Sequence, residues 1–235
     1  MTTEALRRDI VAASRILAAE GVLDAFGHVS ARHPGDAGRY LISRARAPEL
    51  ATVEDIVELT LEGEPVAAHS PRLFAERAIH GAIYRARPDV HAVCHHHAPG
   101  VLPFCIAGTP LVPVYHLGAT MGAVVPFWDS QHEFGDTNLL VTTREQGDSL
   151  ARALGPHWTV LMRRHGATVA GRSLPELVFR AVYGARNAEL QQRAMALGAA
   201  PALPPGEAEA AGAFNLKPIA VDRAWELWTA RLARA

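Results

Sequence analysis

The chain has 235 residues, 49% of them apolar, enough to bury a sizeable core in one α/β domain or two small ones. A net charge of -1, with both signs interspersed, leaves no basic stripe and argues against nucleic acid as a partner. Two cysteines, Cys94 and Cys105, are too few for a disulfide framework, the Met1–Glu4 start carries no apolar signal segment, and no run reaches about 18 apolar residues, so the expectation is a soluble cytoplasmic protein that avoids membranes.

Leu6, Ile10, Ile16 and Leu17, followed by Gly21, predict an amphipathic helix over 4–20. Phe26 to His33 and Arg39 to Ser43 read as strands joined across Pro34-Gly35-Asp36, and Ile56 to Thr60 as a third. Ser70 and Pro71 suit the N-cap and first position of a helix running to about Arg85, with Leu73, Phe74, Ala78, Ile79 and Ile83 inward. A short strand then ends in Val93-Cys94-His95-His96-His97. Pro99 to Ile106 predicts a short helix. Leu111 to Tyr115 and Val124 to Phe127 predict strands, with a helix or loop at Gly118–Gly122 between them. Trp128 to Asp136 reads as a surface loop and 143–154 as a helix. Trp158 to Met162 reads as a buried strand entering a hairpin that closes at Val169-Ala170-Gly171. Ser173-Leu174-Pro175-Glu176 is a capping box for a long helix to about Leu197. Ala199 to Gly212 is Ala/Pro/Gly-rich and expected to be mobile, ahead of a last helix with Trp225, Leu227, Trp228 and Leu232. No linker-like break precedes residue 200. We expect one α/β sheet covered by helices on both faces, with 1–200 as the catalytic part and 201–235 as a mobile segment and C-terminal helix of the same domain.

Three of the twelve histidines are consecutive. On a strand, side chains alternate with period two, so His95 and His97 share one side and His96 takes the other. Two imidazoles on one face can grip a divalent ion; the bland alternative is a polar turn that happens to be rich in histidine. Further ligands must come from elsewhere, and the candidates are His165 in Arg164-His165-Gly166 and Glu76 in Phe74-Ala75-Glu76. Glu76 reads equally as a solvent-facing carboxylate paired to Arg72, and His80, one turn on, as its companion or as surface. Three histidines and a carboxylate serve Zn²⁺, Mn²⁺ or Fe²⁺ alike.

Glu76-x-x-x-His80, Arg87-Pro88-Asp89-Val90, His95-x-His97 and Arg164-His165-Gly166 together resemble the class II aldolase/adducin family over about Leu6 to Leu197. The resemblance implies a single-domain class II aldolase-like α/β fold, a central mostly antiparallel sheet flanked by helices. It implies one divalent ion per subunit on His95, His97 and His165, with Glu76 as the metal-side acid/base. It also implies a homotetramer with active sites at subunit interfaces. Two departures from the aldolases bear on substrate. Their small polar phosphate-binding segments are here Gly27-His28-Val29-Ser30 and Ser43-Arg44-Ala45-Arg46-Ala47-Pro48. Arginine makes bidentate pairs with carboxylates as readily as with phosphates. His28 and Phe127-Trp128 suit a flat ring.

This pattern resembles the branch that decarboxylates hydroxylated aromatic or pyridine dicarboxylates, such as 3-hydroxy-2-methylpyridine-4,5-dicarboxylate and dihydroxyphthalates. The chemistry then expected has the ring hydroxyl and its ortho carboxylate chelating the metal, with Glu76, His80 and His28 as the catalytic residues, Glu76 first. Ser43, Arg44, Arg46 and Ser30 would hold the substrate. The alternatives are a sugar-phosphate (ketose 1-phosphate) aldolase or epimerase on the same histidines, an Fe²⁺ oxygenase, or a non-catalytic adducin-like scaffold.

Overall fold

The structure is a computed structural model that describes residues 2–68 and 71–234. In chain order the elements are α1 (Thr3–Ala19), β1 (His28–Arg32), β2 (Arg39–Ser43), β3 (Ile56–Thr60), α2 (Arg77–Ala86), β4 (Ala92–His96), α3 (Leu102–Ala107), β5 (Phe127–Trp128), α4 (Gln131–Phe134), α5 (Arg144–Leu154), β6 (Thr159–Met162), β7 (Gly166–Gly171), α6 (Leu174–Ala196), α7 (Pro205–Asn215) and α8 (Pro218–Leu232). The strands form one sheet in the order β3-β2-β1-β4-β7-β6-β5. Among the described residues only the β5–β6 pair is parallel.

Register fixes which side chains meet. His28 lies opposite His95 and Ser30 opposite Val93 across the β1–β4 pair, while Ser30 also faces Ile42 of β2. Alternation therefore puts His28, Ser30, Tyr40, Ile42, Val93 and His95 on one face. That face packs with Ile79, Ile83, Leu150 and Leu154 of α2 and α5. The other face, with Val29, Ala31, Leu41, Cys94 and Val169, packs against α1, α3, α6 and α8. Each fully buried aliphatic side chain contributes roughly 1.5–3 kcal/mol, so both helical layers hold the sheet firmly. Arg32 ties α2 down: its guanidinium donates to the carbonyls of Val90, Ala37, Tyr84 and Arg87, satisfying the end of that helix.

The structure departs from the sequence reading in five places, one being that only Phe127 of the strand expected over Val124 to Phe127 lies in β5. The helix expected from Ser70 begins at Arg77; Ser70 itself lies outside the described residues. The Ala45 N–H donates to the Arg72 carbonyl at 2.8 Å, which draws this segment alongside 44–46 in place of a helical turn. Leu111 to Tyr115 is not a strand. Its backbone is held by two side-chain amides of α6 that imitate a neighbouring strand. Asn187 accepts from Val114 N–H and donates to the Val112 carbonyl, and Gln191 accepts from Val112 N–H and donates to the Pro110 carbonyl. Trp128, assigned to a surface loop, is buried in β5 with its indole N–H on Ser149 Oγ at 2.9 Å, and Gln131–Phe134 is helical. Within the segment expected to be mobile, Pro205–Asn215 forms α7, because alanine has the highest helix propensity and proline suits a first turn.

Candidate metal centre

Four elements converge on one point. β4 delivers His95, and the chain just past its last residue delivers His97. The β6–β7 turn delivers His165, and Glu76 stands immediately before α2. The turn is tight for two reasons. Arg164 takes a left-handed φ of 54° with its N–H on the Cys105 carbonyl at 2.8 Å. A Cβ on Gly166 would fall 2.3 Å from the His96 carbonyl oxygen and 2.8 Å from His97 Cδ2, so only glycine lets β7 close on β4 here.

One ligand atom from each of Glu76, His95, His97 and His165 lies within 4.8 Å of every other. His95 Nε2 and His97 Nε2 are 3.0 Å apart, Glu76 Oε2 is 3.7 Å from His95 Nε2, and Glu76 Oε1 is 3.6 Å from His165 Nε2. The rings of His97 and His165 stack at 5.1 Å. His95 Nδ1 contacts the Ala167 carbonyl at 3.1 Å. A carbonyl only accepts, so Nδ1 carries the proton and Nε2 keeps its lone pair. Burial holds His95 well below its usual pKa and also lowers His97, keeping both neutral. His165 Nδ1 is buried with no partner among the described residues, so its ring is oriented by Glu76 and the His97 stack.

Burial raises the Glu76 carboxyl, yet the adjacent His165 and His95 side chains and the Val141 N–H at 2.9 Å outweigh it and lower the pKa to about 2. Glu76 is therefore buried and ionised at neutral pH, not a solvent-facing helical residue. Three imidazoles and one carboxylate fit a divalent first-row ion by chemistry and spacing. Two nitrogens about 2.1 Å from one ion and roughly at right angles would stand close to the separation seen for His95 and His97.

A second group of polar residues lies on the same sheet face. His28 Nδ1 meets His80 Nε2 at 2.6 Å, His80 Nδ1 meets Ser30 Oγ at 2.6 Å, and Ser30 Oγ meets Tyr84 Oη at 2.7 Å. Burial pushes His80 down to about 3 and His28 well below its usual range, so both rings are neutral. His28 sits against Phe74, centroids 4.6 Å apart, and 5.4 Å from the His95 ring. Tyr84 and Phe74 were not singled out from the sequence as site residues. The spacing Glu76-x-x-x-His80-x-x-x-Tyr84, one helical face, was the available signal for Tyr84.

The expected substrate-binding residues do not all gather. Arg44 Nε pairs with Asp55 Oδ1 at 2.6 Å and an Arg46 terminal nitrogen with Asp55 Oδ2 at 2.8 Å, so both are held by one carboxylate that sequence reasoning missed. Ser43 is buried one residue past Ile42, on the opposite sheet face from His28 and His95. Ser30 is bonded within the buried group. Trp128 packs in the core beside α5, so Phe74 is the aromatic ring next to the histidines. The C-terminal helix α8 docks on its own subunit, with Trp228 against Phe179 and Tyr183 of α6. A cleft of about 640 Å³ lined by Tyr183, Arg186, Arg223 and Trp228 includes none of the clustered histidines. Among the described residues no helix is long and apolar enough to cross a membrane.

Residues 8–192 match the family described as the class II aldolase and adducin N-terminal domain, and the chain belongs to that family. It is 36% identical to Decarboxylase tropJ of Talaromyces stipitatus, over 94% of this chain and 91% of that protein. It is 31% identical to a 3,4-dihydroxyphthalate decarboxylase of Arthrobacter keyseri, over 77% and 75%. These relatives mark the chain as an enzyme of the carboxy-lyase kind. The fold also matches L-fuculose 1-phosphate aldolase from Glaciozyma antarctica, with TM-score 0.81 and 23% identity over 98% and 89% of the two chains.

Proposed function

We propose that this protein is a divalent-metal-dependent decarboxylase of a hydroxylated aromatic or pyridine dicarboxylate, of the dihydroxyphthalate or 3-hydroxy-2-methylpyridine-4,5-dicarboxylate type. The observation that carries the reading is the convergence of His95, His97, His165 and Glu76 within 4.8 Å, in a chain whose relatives bear the decarboxylase name. The donor set suits Mn²⁺ or Zn²⁺ and is compatible with Fe²⁺. When bound, the ion supplies Lewis-acid stabilisation of the negative charge that develops as carbon dioxide leaves. The ring–carboxylate bond breaks, its electron pair stays on the ring carbon, and that carbon takes up a proton.

The chain's own residues divide the remaining work. Glu76, ionised and facing two of the histidines through its two oxygens, suits holding the ion better than donating a proton. His80 has both ring nitrogens engaged. His28 keeps Nε2 unbonded among the described residues, so it is the imidazole assigned to face the substrate. Arg44 and Arg46 share a single carboxylate, which leaves excess positive charge for the second substrate carboxylate. A cytoplasmic homotetramer with interface active sites accords with this reading.

The test is a CO₂-release assay on a panel of ortho-hydroxy aromatic and pyridine dicarboxylates, with Mn²⁺, Zn²⁺ and Fe²⁺ added separately. Metal-dependent release that vanishes in His97→Ala is expected. No release from any ring, with cleavage of a ketose 1-phosphate instead, overturns the proposal in favour of an aldolase.

A further inference from the structure

The group His28–His80–Ser30–Tyr84 is a continuous chain of three short hydrogen bonds running from α2 to the ion-binding histidines. All four residues are buried, with exposures between 0% and 4%. With one N–H on each ring, each of these short contacts carries one proton. Three proton orders satisfy all three contacts, because a serine hydroxyl oxygen can accept twice. In the first, the Tyr84 O–H donates to Ser30, Ser30 O–H donates to His80 Nδ1, and His80 Nε2–H donates to His28 Nδ1. The proton remaining on His28 then sits on Nε2. In the second, every bond reverses, and the Tyr84 O–H, 1% exposed, has no acceptor among the described residues; in the third, Ser30 accepts from both His80 and Tyr84, and its own O–H, 0% exposed, has none. The donor left over in the first order, His28 Nε2–H, is not among the sealed unpartnered atoms and opens toward the site. A buried donor left without an acceptor is disfavoured by an amount that biases the populations on the order of 10- to 100-fold. The first order wins.

We propose that Tyr84, Ser30 and His80 are positioning residues that lock His28 in its Nε2–H tautomer, and that His28 offers this N–H to an oxygen of the substrate beside His95. The tautomer stands on hydrogen-bond geometry alone; the substrate class rests on the decarboxylase reading above. A fixed donor at this position accepts a carboxylate or phenolate oxygen. It gives no bond to a group that can only donate, so the buried chain sets specificity from a distance.

Neutron diffraction from deuterium-exchanged crystals of the metal-free full chain reads the tautomer directly. A deuteron on His28 Nε2 and none on Nδ1 is expected; one on Nδ1 overturns the proposal. In Tyr84→Phe, or in Ser30→Ala should the first variant fold poorly, the deuteron should spread to Nδ1. An unchanged tautomer in a folded variant overturns the locking role. On a substrate found by CO₂ release, His28→Ala should raise KM roughly 10-fold or more. His28→Gln, whose amide N–H can replace Nε2–H, should recover most of that loss, and Tyr84→Phe should change KM more than kcat. A glutamine variant as poor as the alanine variant removes the donor role. Failure of every dicarboxylate would defeat the decarboxylase reading and leave the neutron result to stand or fall separately.

Discussion

His95 Nε2 faces His97 Nε2 at 3.0 Å, and the proton on His95 is fixed at the far nitrogen by the Ala167 carbonyl. Two lone pairs so close on neutral rings repel unless they share a proton or an ion. The purified chain should therefore take up one divalent ion per subunit. His97→Ala should weaken that binding by more than the roughly 10–100-fold typical of losing an outer-shell partner. Calorimetric titration with chelator-buffered Zn²⁺ or Mn²⁺ measures it. Equal affinity in the variant would remove the cluster as the ion site.

Glu76→Gln separates ligand from proton donor. The amide oxygen can still accept the Val141 N–H, so the local fold should survive. The lost charge should lower ion affinity together with turnover. A variant that binds the ion normally but releases no CO₂ would return Glu76 to the role of general acid.

Asp55 makes acid stability readable. Burial raises its carboxyl, but Thr52 N–H, Arg44, the Thr52 hydroxyl and Arg46 overcome that and lower its pKa from 3.8 to about 2. A depressed folded pKa gives stability that is complete above the unfolded value and lost as pH falls from about 4 through about 2. The upper limit is about 2 kcal/mol, reduced because both guanidiniums are partly exposed and screened. Asp55→Asn should therefore be less stable at pH 7 and show a flatter denaturation profile between about pH 4 and pH 2. An unchanged acid limb in urea melts would show that the pair contributes nothing.

Gly166→Ala tests the approach of β7 to β4. Its Cβ would stand 2.3 Å from a backbone oxygen, which no side-chain rotation relieves. Overpacking of this kind costs about 1–3 kcal/mol or more. The melting temperature should fall, and because the added methyl presses on His97, ion affinity should fall with it. A melt and affinity matching the parent chain would mean the turn yields freely.

Much of the fold was legible because local signals agreed with tertiary structure. β2 and β3 keep the boundaries read from alternation, and Ser173 caps α6 as its sequence suggests. Hidden features depend on contacts between distant residues. Nothing near Leu111–Tyr115 says that Asn187 and Gln191 will replace a strand partner, since side-chain amides on a helix look like surface residues. Asp55 lies nine residues beyond Arg46, and its capture of both guanidiniums appears only once β2 and β3 pair. For the same reason the candidate ligands could be named from spacing, whereas the hydrogen-bonded chain behind His28 could not: the spacing puts His80 and Tyr84 on one helical face but does not show that Ser30 of β1 joins them.

The amide grip of α6 on the segment beside it also has a mechanical side. Asn187 and Gln191 each hold that segment by one donor and one acceptor, like two rungs of a ladder bolted to a beam. The segment therefore has no independent hinge at residues 110–114. It travels with the helix, and the same beam carries Phe179 and Tyr183, on which Trp228 rests. A push on the C-terminal helix therefore reaches that segment along α6, whose Asn187 follows Tyr183 by one turn, with no loop in between to absorb it.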